Sequence, residues 1–248
     1  MDVGYIKDES ESRPLGDSTK FRSAVGGLLY IAVCARPDIA ASTAILGRRF
    51  SSPTEADWTA VKRVVRYLKA TKNWRLRLGN ENQDGLLAFS DSDWAGDKST
   101  RKSTTGYVIY LNGAAVSWAS RRQDCVTLST TEAEYVALTE TCQEIVWLRR
   151  LLEDLGETPT QPTLVMEDNQ GCISFATSER CSKRSKHIET KRHFVKDLCA
   201  NGVVRLNYCP TENMDADVLT KPVGPVKHQY FARRLGLCCS EAEIEEEC

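Results

Sequence analysis

The amino-acid sequence predicts an α/β fold in which helices flank a five-stranded mixed sheet, with a helical segment in front of it. Three observations support this prediction. Apolar residues recur at helical spacing from about Thr19 to Leu78 and at strand spacing from Leu86 onward. Three strand patterns then follow one another through short connections, which is typical of antiparallel strands. Two later strand patterns are each reached through a helix, and should therefore lie parallel to the first strand.

Composition divides the 248 residues into four predicted parts. Residues 1–17 are polar with Gly and Pro, which indicates a disordered or linker segment. Residues 18–80 form the predicted helical segment and 84–237 the sheet domain, and at 41% hydrophobic the chain can bury a substantial core. Residues 238–248 form an acidic tail, and such a block of like charge is typically solvated.

Composition also excludes several classes of protein. No apolar run approaches the roughly 18 residues that span a bilayer, and the N-terminus lacks the apolar core of a signal peptide. We therefore expect a soluble, intracellular protein without a membrane partner. The ten cysteines are scattered without a Cys-x-x-Cys pair, so reduced thiols are expected rather than a disulfide framework, a redox site or a zinc site.

The helical segment is predicted to contain three helices, "FRSAVGGLLYIAVCA", "PDIAASTAILGRRF" and "SPTEADWTAVKRVVRYLKA". Pro37 and Pro53 stand near two helix starts, and cations close the third helix, as helix boundaries prefer. The third helix also places four cations within about two turns, at Lys62, Arg63, Arg66 and Lys69. This spacing fits contact with a phosphate backbone and fits an ordinary solvated face.

The sheet domain begins with three strands, "LLAFSD", "GYVIYL" and "AAVSWAS". The last two are joined across Asn112-Gly113, the strongest short signal for a hairpin. Asp91 ends the first strand, and Asp93 and Asp97 are expected in the turn that follows it. These three strands form a predicted antiparallel meander.

A long amphipathic helix, "STTEAEYVALTETCQEIVWLRRLLEDLG", follows the meander. Ser129 and Glu132 have the spacing of a capping box, and Gly156 suits the left-handed position that ends a helix. The remaining elements are a strand "TLVMEDN" that ends in Asp168, helices "NQGCISFAT" and "SKHIETKRHFVKDLCANG", a strand "VVRLNYC" and a short helix "ENMDADVLT".

Four acids converge on one rim of this predicted sheet. Glu134 precedes Leu138 by four residues and so shares the core-facing side of the long helix. Asp91 and Asp168 end neighbouring strands, and Asp217 lies in the closing helix. Buried carboxylates are costly unless a cation neutralises them. Ligands that offer only oxygen favour Mg²⁺ or Mn²⁺, whereas zinc prefers Cys and His.

Each acid also has a simpler interpretation when it is taken alone. Asp91 can form a turn, and Glu134 can pair with an arginine. Asp168 can cap the helix after it, and Asp217 can be a solvated helix residue. The combination of four acids at one rim favours the metal site.

The stretch from Phe89 to Leu237 resembles the RNase H domain of Ty/copia-type retrotransposon Pol polyproteins. The motifs that carry the resemblance are "SDSDWAGD", "RKSTTGYVIYLNG", "SWASRRQ", "LSTTEAEYVAL", "WLRRLL", "EDNQGCI", "SKHIETKRHF" and "ADVLTKP". Two earlier motifs, "FRSAVGGLLYIAVCARPDIA" and "WTAVKRVVRYLKAT", resemble the segment that joins reverse transcriptase to RNase H in those polyproteins. The resemblance covers nearly the whole chain after about residue 14.

The resemblance implies an RNase H-like fold and a hydrolase that cleaves the RNA strand of RNA–DNA hybrids. It assigns catalysis and metal binding to Asp91, Glu134, Asp168 and Asp217, with two Mg²⁺ or Mn²⁺ ions about 3.5 to 4 Å apart and Asp91 between them. The chain has no Tyr-x-Asp-Asp polymerase motif, so it is expected to be the C-terminal fragment of a longer polyprotein. A reverse transcriptase domain in cis or trans is the implied partner, in a cytoplasmic virus-like particle if the element is active.

For the nucleic-acid contacts, the sequence indicates a set of candidate residues and leaves alternatives open. Asn169 and Gln170 either read the 2′-hydroxyl of RNA or are ordinary residues at a helix start. Phosphate contacts are expected from some of Arg101, Lys102, Arg121, Arg122, Lys183, Arg184 and Lys186, with affinity that falls steeply as salt rises. The loop "YCPTENMDAD" lacks the histidine that many cellular RNase H enzymes carry there. A catalytically silent remnant that binds nucleic acid or a protein partner is the alternative function.

Overall fold

A computed structural model describes residues 12–79, 85–178 and 189–239 of the chain. The helices are α1 (Thr19–Cys34), α2 (Ala40–Gly47), α3 (Glu55–Ala70), α4 (Thr130–Asp154), α5 (Gln170–Thr177), α6 (Glu189–Ala200), α7 (Asp217–Thr220) and α8 (Pro225–Arg234). The strands are β1 (Arg75–Leu76), β2 (Leu86–Asp93), β3 (Thr104–Leu111), β4 (Ala114–Arg122), β5 (Thr163–Glu167), β6 (Val204–Tyr208) and β7 (Leu237–Cys238). Short 3₁₀ turns occupy Pro37–Ile39 and Thr211–Asn213.

The main sheet has five strands in the order β4-β3-β2-β5-β6. Strands β4, β3 and β2 are antiparallel to their neighbours, whereas β5 pairs with β2 and β6 with β5 in parallel. The hairpin between β3 and β4 turns at Asn112 and Gly113, whose φ angles of 49° and 74° are those of a tight primed turn. The predicted mixed sheet and its hairpin are confirmed.

The sheet is covered on both faces, and alternate residues of β2 point to opposite faces. Ala88 packs in one core cluster with Leu138 of α4. Phe89 packs in a second cluster with Leu219 of α7, on the opposite face. Asp91 shares the face of Phe89, because it lies two residues further along the strand. The first acid of the predicted site therefore points toward α7.

Local signals in the sequence explain where helices α4 and α3 begin. Ser129 caps α4 by accepting a hydrogen bond from the backbone N–H of Glu132. Of the predicted reciprocal capping box, this is the first hydrogen bond. The Glu132 carboxylate accepts from the backbone N–H of Leu128 at 2.8 Å, one residue before the cap. Thr54 and Asp57 form the complete reciprocal box at the start of α3.

The helical segment packs directly against the sheet. Its own core includes Phe21 and Leu46, both fully buried. The indole Nε1 of Trp118 in β4 donates to the backbone oxygen of Ala32 at 2.8 Å. Strand β1 pairs with β7 in a second, two-stranded antiparallel sheet, which ties residues 75–76 to the end of the described chain.

Some features differ from the sequence prediction or were absent from it. The segment "ENMDADVLT" forms a 3₁₀ turn and then the four-residue helix α7, instead of one helix. Helix α8 and the strands β1 and β7 were not predicted. Asp93 is the last residue of β2 and does not lie in the following turn. The cysteines at positions 34, 125, 142, 172, 199, 209 and 238 are free thiols.

Parts of the prediction fall outside the described residues, including most of the predicted N-terminal linker and of the acidic tail. From residue 12 onward the linker is described, and the backbone N–H of Leu15 donates to the Pro53 oxygen at 2.8 Å. Within the described ranges, every helix is too short or too polar to cross a lipid bilayer.

Candidate active site

Three of the four predicted acids meet at one edge of the main sheet. Asp91 lies near the end of β2, Asp168 directly follows β5, and Glu134 lies near the start of α4. Since β2 and β5 are parallel neighbours, their carboxyl ends share an edge. One carboxylate oxygen from each acid lies within 4.8 Å of those of the other two. The structure therefore assembles an all-oxygen group that can hold a cation.

Burial disfavours the ionised forms of two of these acids, Asp91 and Glu134. Burial raises the pKa of Asp91 to about 6, with Asp217 and Asp168 adding to the rise and Lys221 opposing it. Burial also raises the pKa of Glu134 to about 9, with further contributions from Asp91 and Asp168. The Oε2 atom of Glu134 has no hydrogen-bond partner in the described part of the chain. Oxygen ligands whose ionised forms are disfavoured by burial fit a hard divalent cation, which would stabilise the charged carboxylates.

A fourth buried acid at this edge, Glu167, was missed by the sequence analysis. It is fully buried at the end of β5, and its Oε1 accepts from the backbone N–H of Asn169 at 3.3 Å. Burial, with the charge of Glu134, raises its pKa well above the usual range. The signal that reveals it is the alternation of Thr163, Val165 and Glu167 on the buried side of β5. Glu167 is therefore a further buried acid at this edge, and its ionised form is disfavoured.

Asp217 is not among the three clustered acids, although it is almost fully buried at the start of α7. Its Oδ1 lies 2.7 Å from Nζ of Lys221, and its Oδ2 lies 2.9 Å from Nζ of Lys227. The Thr220 hydroxyl connects it to the cluster, because Oγ1 lies 3.0 Å from Oδ2 of Asp91 and 2.9 Å from the Asp217 carbonyl oxygen. Asp217 thus flanks the cluster on the α7 side, already neutralised by two lysines.

A close approach between β3 and α7 sets the position of Asp217. Gly106 of β3 pairs directly with Asp91 of β2. A Cβ atom at Gly106 would lie 2.6 Å from Cγ2 of Thr220, 2.9 Å from the Ala216 oxygen and 3.0 Å from Cβ of Leu219. Only glycine permits this contact without moving the helix.

Replacing Gly106 by alanine is expected to destabilise the protein by about 1 to 3 kcal/mol, because the added methyl group overpacks the contact with α7. Urea unfolding monitored by circular dichroism measures the change. Gly26→Ala is the matched control, because Gly26 lies inside α1 with nothing within 4 Å of its added Cβ. That control should gain up to about 1 kcal/mol. Equal effects of the two substitutions would contradict the close contact.

The raised pKa values predict how stability depends on pH without metal. The folded protein binds more protons than the unfolded chain between the unfolded pKa values of Asp91 and Glu134, 3.8 and 4.5, and their folded values of about 6 and about 9. The free energy of unfolding should therefore fall as pH rises through this window. Thermal unfolding in a chelator, from about pH 5 to about pH 9, measures the slope.

Glu134→Gln should flatten this slope, since glutamine cannot titrate. Glu153→Gln, at an exposed position of the same helix, is the control and should keep the wild-type slope. A wild-type protein whose stability is constant or rises over this range would contradict the prediction. So would a Glu134→Gln variant that keeps the full slope.

Four of the predicted basic residues lie near the same edge of the sheet. Arg101 and Lys102 belong to the connection between β2 and β3, and Arg121 and Arg122 end β4. Arg121 and Arg122 are exposed and pair in register with the first two residues of β3. Nη1 of Arg122 also binds Asp97 at 3.0 Å. The edge that carries the acids is therefore bordered by cations.

The remaining predicted contacts have different environments. The side-chain oxygen of Asn169 caps α5 by accepting from the backbone N–H of Cys172 at 2.9 Å. Gln170 is the exposed first residue of α5. The other three predicted basic residues lie outside the described residues, namely Lys183, Arg184 and Lys186.

The strand order, the strand directions and the three carboxylates that meet at one edge of the sheet agree with the RNase H-like fold expected from the sequence, with a candidate metal centre. No protein-family model matches the chain. The retrovirus-related Pol polyprotein from transposon RE2 of Arabidopsis thaliana is 37% identical over 223 residues, which is 90% of this chain and 15% of that protein. The chain is thus a homologue of Ty/copia-type retrotransposon Pol polyproteins, and spans about 15% of the length of this curated relative.

The chain is also similar to a protein that is not a Pol polyprotein and to a solved structure. The secreted RxLR effector protein 161 of Plasmopara viticola is 47% identical over 128 residues, covering 52% of this chain and 90% of that protein. The solved structure of LC11-RNase H1, isolated from compost by a metagenomic approach, is 17% identical with a TM-score of 0.42, covering 56% of this chain and 94% of that chain.

Proposed function

We propose that this chain is a ribonuclease H that hydrolyses the RNA strand of RNA–DNA hybrids with the help of Mg²⁺ or Mn²⁺. The observation that carries the proposal is the convergence of Asp91, Glu134 and Asp168, from three separate elements, within 4.8 Å of one another. Burying Asp91 and Glu134 beside the half-buried Asp168 is unfavourable for folding, so a functional role for the cluster accounts for it.

The buried carboxylates are suited to hold divalent cations. Such cations stabilise developing charge on a phosphodiester and lower the pKa of water near them. Asp91 belongs to the group with Glu134 and Asp168 and is linked through Thr220 to Asp217. Asp91, Glu134 and Asp168 would hold a divalent cation, and Asp217 would offer a further carboxylate next to Asp91. Burial strengthens every charge interaction in the cluster, because little water screens it.

The protein's own residues also recognise the substrate in this proposal. Arg121 and the Arg101–Lys102 connection bind phosphates, because they border the acid cluster at the same sheet edge. Asn169 uses its oxygen to cap α5, so we assign its amide nitrogen to a 2′-hydroxyl of the RNA strand. Gln170 is the second candidate for this contact. These contacts distinguish an RNA–DNA hybrid from a DNA duplex.

The polyprotein context supplies the substrate in the same proposal. A reverse transcriptase domain, in cis or in trans, makes the hybrid that this chain then cleaves. For an active element we place this reaction inside cells, in a cytoplasmic virus-like particle. The support for this context is the similarity to retrovirus-related Pol polyproteins, of which this chain spans a small part.

A strand-resolved cleavage assay tests the function. The purified chain is incubated with Mg²⁺ and one of three substrates: a hybrid labelled on RNA, a hybrid labelled on DNA, and an RNA duplex. Cleavage should occur only in the RNA strand of the hybrid and should stop when a chelator removes the cation. Binding of the hybrid by folded protein without cleavage would support the catalytically silent alternative and contradict the enzyme.

A further inference from the structure

Two lysine side chains hold the carboxylate of Asp217 from opposite sides. Nζ of Lys221 lies 2.7 Å from Oδ1, and Nζ of Lys227 lies 2.9 Å from Oδ2. The Asp217 side chain is only 2% exposed. Each of the two carboxylate oxygens therefore lies at ion-pair distance from one ammonium group.

Lys221 also faces the other acids on this side of the sheet. Asp91 and Asp93 project from the same face of β2, because they are two residues apart. Burial raises the pKa of both acids, and the charge of Lys221 is the largest influence that opposes this rise. The charge of Lys221 therefore acts on Asp91 and Asp93 as well as on Asp217, whose Oδ1 atom lies 2.7 Å from the ammonium nitrogen.

We propose that the ammonium group of Lys221 occupies the second cation position, so that a second divalent cation binds only by displacing it and binds much more weakly than the first. This inference rests on the proposed function, since it takes the group of Asp91, Glu134 and Asp168 as the site of the first cation. Lys221 is a positioning residue in this account, because it acts on Asp217 and on cation affinity.

The two lysines can move, whereas Asp217 cannot. The side chains of Lys221 and Lys227 are 40% and 43% exposed, so each ammonium group can turn into solvent. Asp217 is fixed at the start of α7 by the close packing of that helix on Gly106. Replacing the ammonium group with a divalent cation therefore requires motion of the lysine side chains alone. A phosphate group of the substrate can then pair with the displaced ammonium groups.

Titration with Mn²⁺ tests the inference without any measurement of activity. Electron paramagnetic resonance reports free Mn²⁺ as the ion is added to wild-type protein. We expect one tightly bound ion and a second at least about tenfold weaker, because a unit charge a few ångströms away opposes the second ion. In Lys221→Met the second ion should bind about tenfold more tightly, while the first changes little.

Two further variants provide a control and a second test. Lys221→Arg retains the charge and should behave like wild type. Lys227→Met removes the other ammonium group and should also strengthen the second ion, which preserves the test if Lys221→Met fails to fold. Two ions of equal affinity in wild type would overturn the inference, as would an unchanged second affinity in folded variants of both lysines.

The result separates this inference from the proposed function. If wild type binds no Mn²⁺ at all, the metal site of the proposed function fails and the inference fails with it. If wild type binds Mn²⁺ and cleaves the hybrid but the lysine variants bind the second ion as wild type does, only the inference is overturned. In the supported outcome, Lys221→Met also reaches full activity at a lower Mg²⁺ concentration than Lys221→Arg.

Discussion

Replacing Asp91 by asparagine is expected to lower the rate of RNA cleavage in a hybrid by about 10³-fold or more, since cation-assisted charge stabilisation is worth several kcal/mol. Asp91 is the acid that touches both sides of the site: it belongs to the three-acid group and accepts from Thr220 toward Asp217. Asparagine keeps the size of the side chain and an oxygen for Thr220, but removes the charge. Single-turnover cleavage with excess protein measures the effect.

Asp154→Asn is the matched control for that experiment. Asp154 is an exposed aspartate at the end of α4, so the substitution makes the same change in net charge far from the cluster in sequence. It should cleave at the wild-type rate. An active Asp91→Asn protein, or an equal loss in both variants, would contradict the catalytic assignment of Asp91.

Removing the side chain of Asp38 is expected to destabilise the fold by about 3 to 5 kcal/mol, because it leaves a buried arginine without its counter-ion. Nε and Nη2 of Arg36 donate to the two oxygens of Asp38 at 2.9 and 2.7 Å. The Tyr67 hydroxyl donates to Asp38 at 2.6 Å. In Asp38→Ala, Arg36 retains the uncharged contacts with Thr71. Urea unfolding measures the loss.

A double variant distinguishes the loss of the Arg36–Asp38 contact from the cost of leaving the charge of Arg36 buried without a counter-ion. Arg36→Met combined with Asp38→Ala removes both charges, and should be more stable than Asp38→Ala alone. Tyr67→Phe removes one donor and should cost only about 1 kcal/mol. A cost below about 1 kcal/mol for Asp38→Ala would contradict the buried pair, as would a double variant less stable than the single one.

The main sheet was predictable because its signals are local. Asn112-Gly113 specifies a turn with positive φ at both residues, and Gly156 has the positive φ expected just after a helix. Helix α8 was missed because its ten residues bury only Phe231 and Ala232, too few for a clear helical pattern. The strands β1 and β7 have two residues each, which leaves no period to detect.

The site was predictable in part for the same reason. Strand ends and one helix face indicated where Asp91, Asp168 and Glu134 would lie, and the structure brings these three together. Their catalytic roles, and that of Asp217, stay predictions. The contact of Lys227 with Asp217 was not predictable, because Lys227 belongs to α8 and reaches Asp217 only through tertiary packing. Lys221, by contrast, lies only four residues after Asp217. Glu167 was overlooked although its strand alternates clearly.

The most direct test of the proposed function identifies the oxygen atom that attacks the phosphodiester of the RNA strand. The hybrid is cleaved by wild-type protein in water enriched in oxygen-18, and mass spectrometry determines the ends of the RNA products. Attack by a water molecule under the control of Asp91, Glu134 and Asp168 predicts oxygen-18 in a terminal phosphate and no cyclic product. A 2′,3′-cyclic phosphate without the label would show that the 2′-hydroxyl is the nucleophile, and would contradict the account.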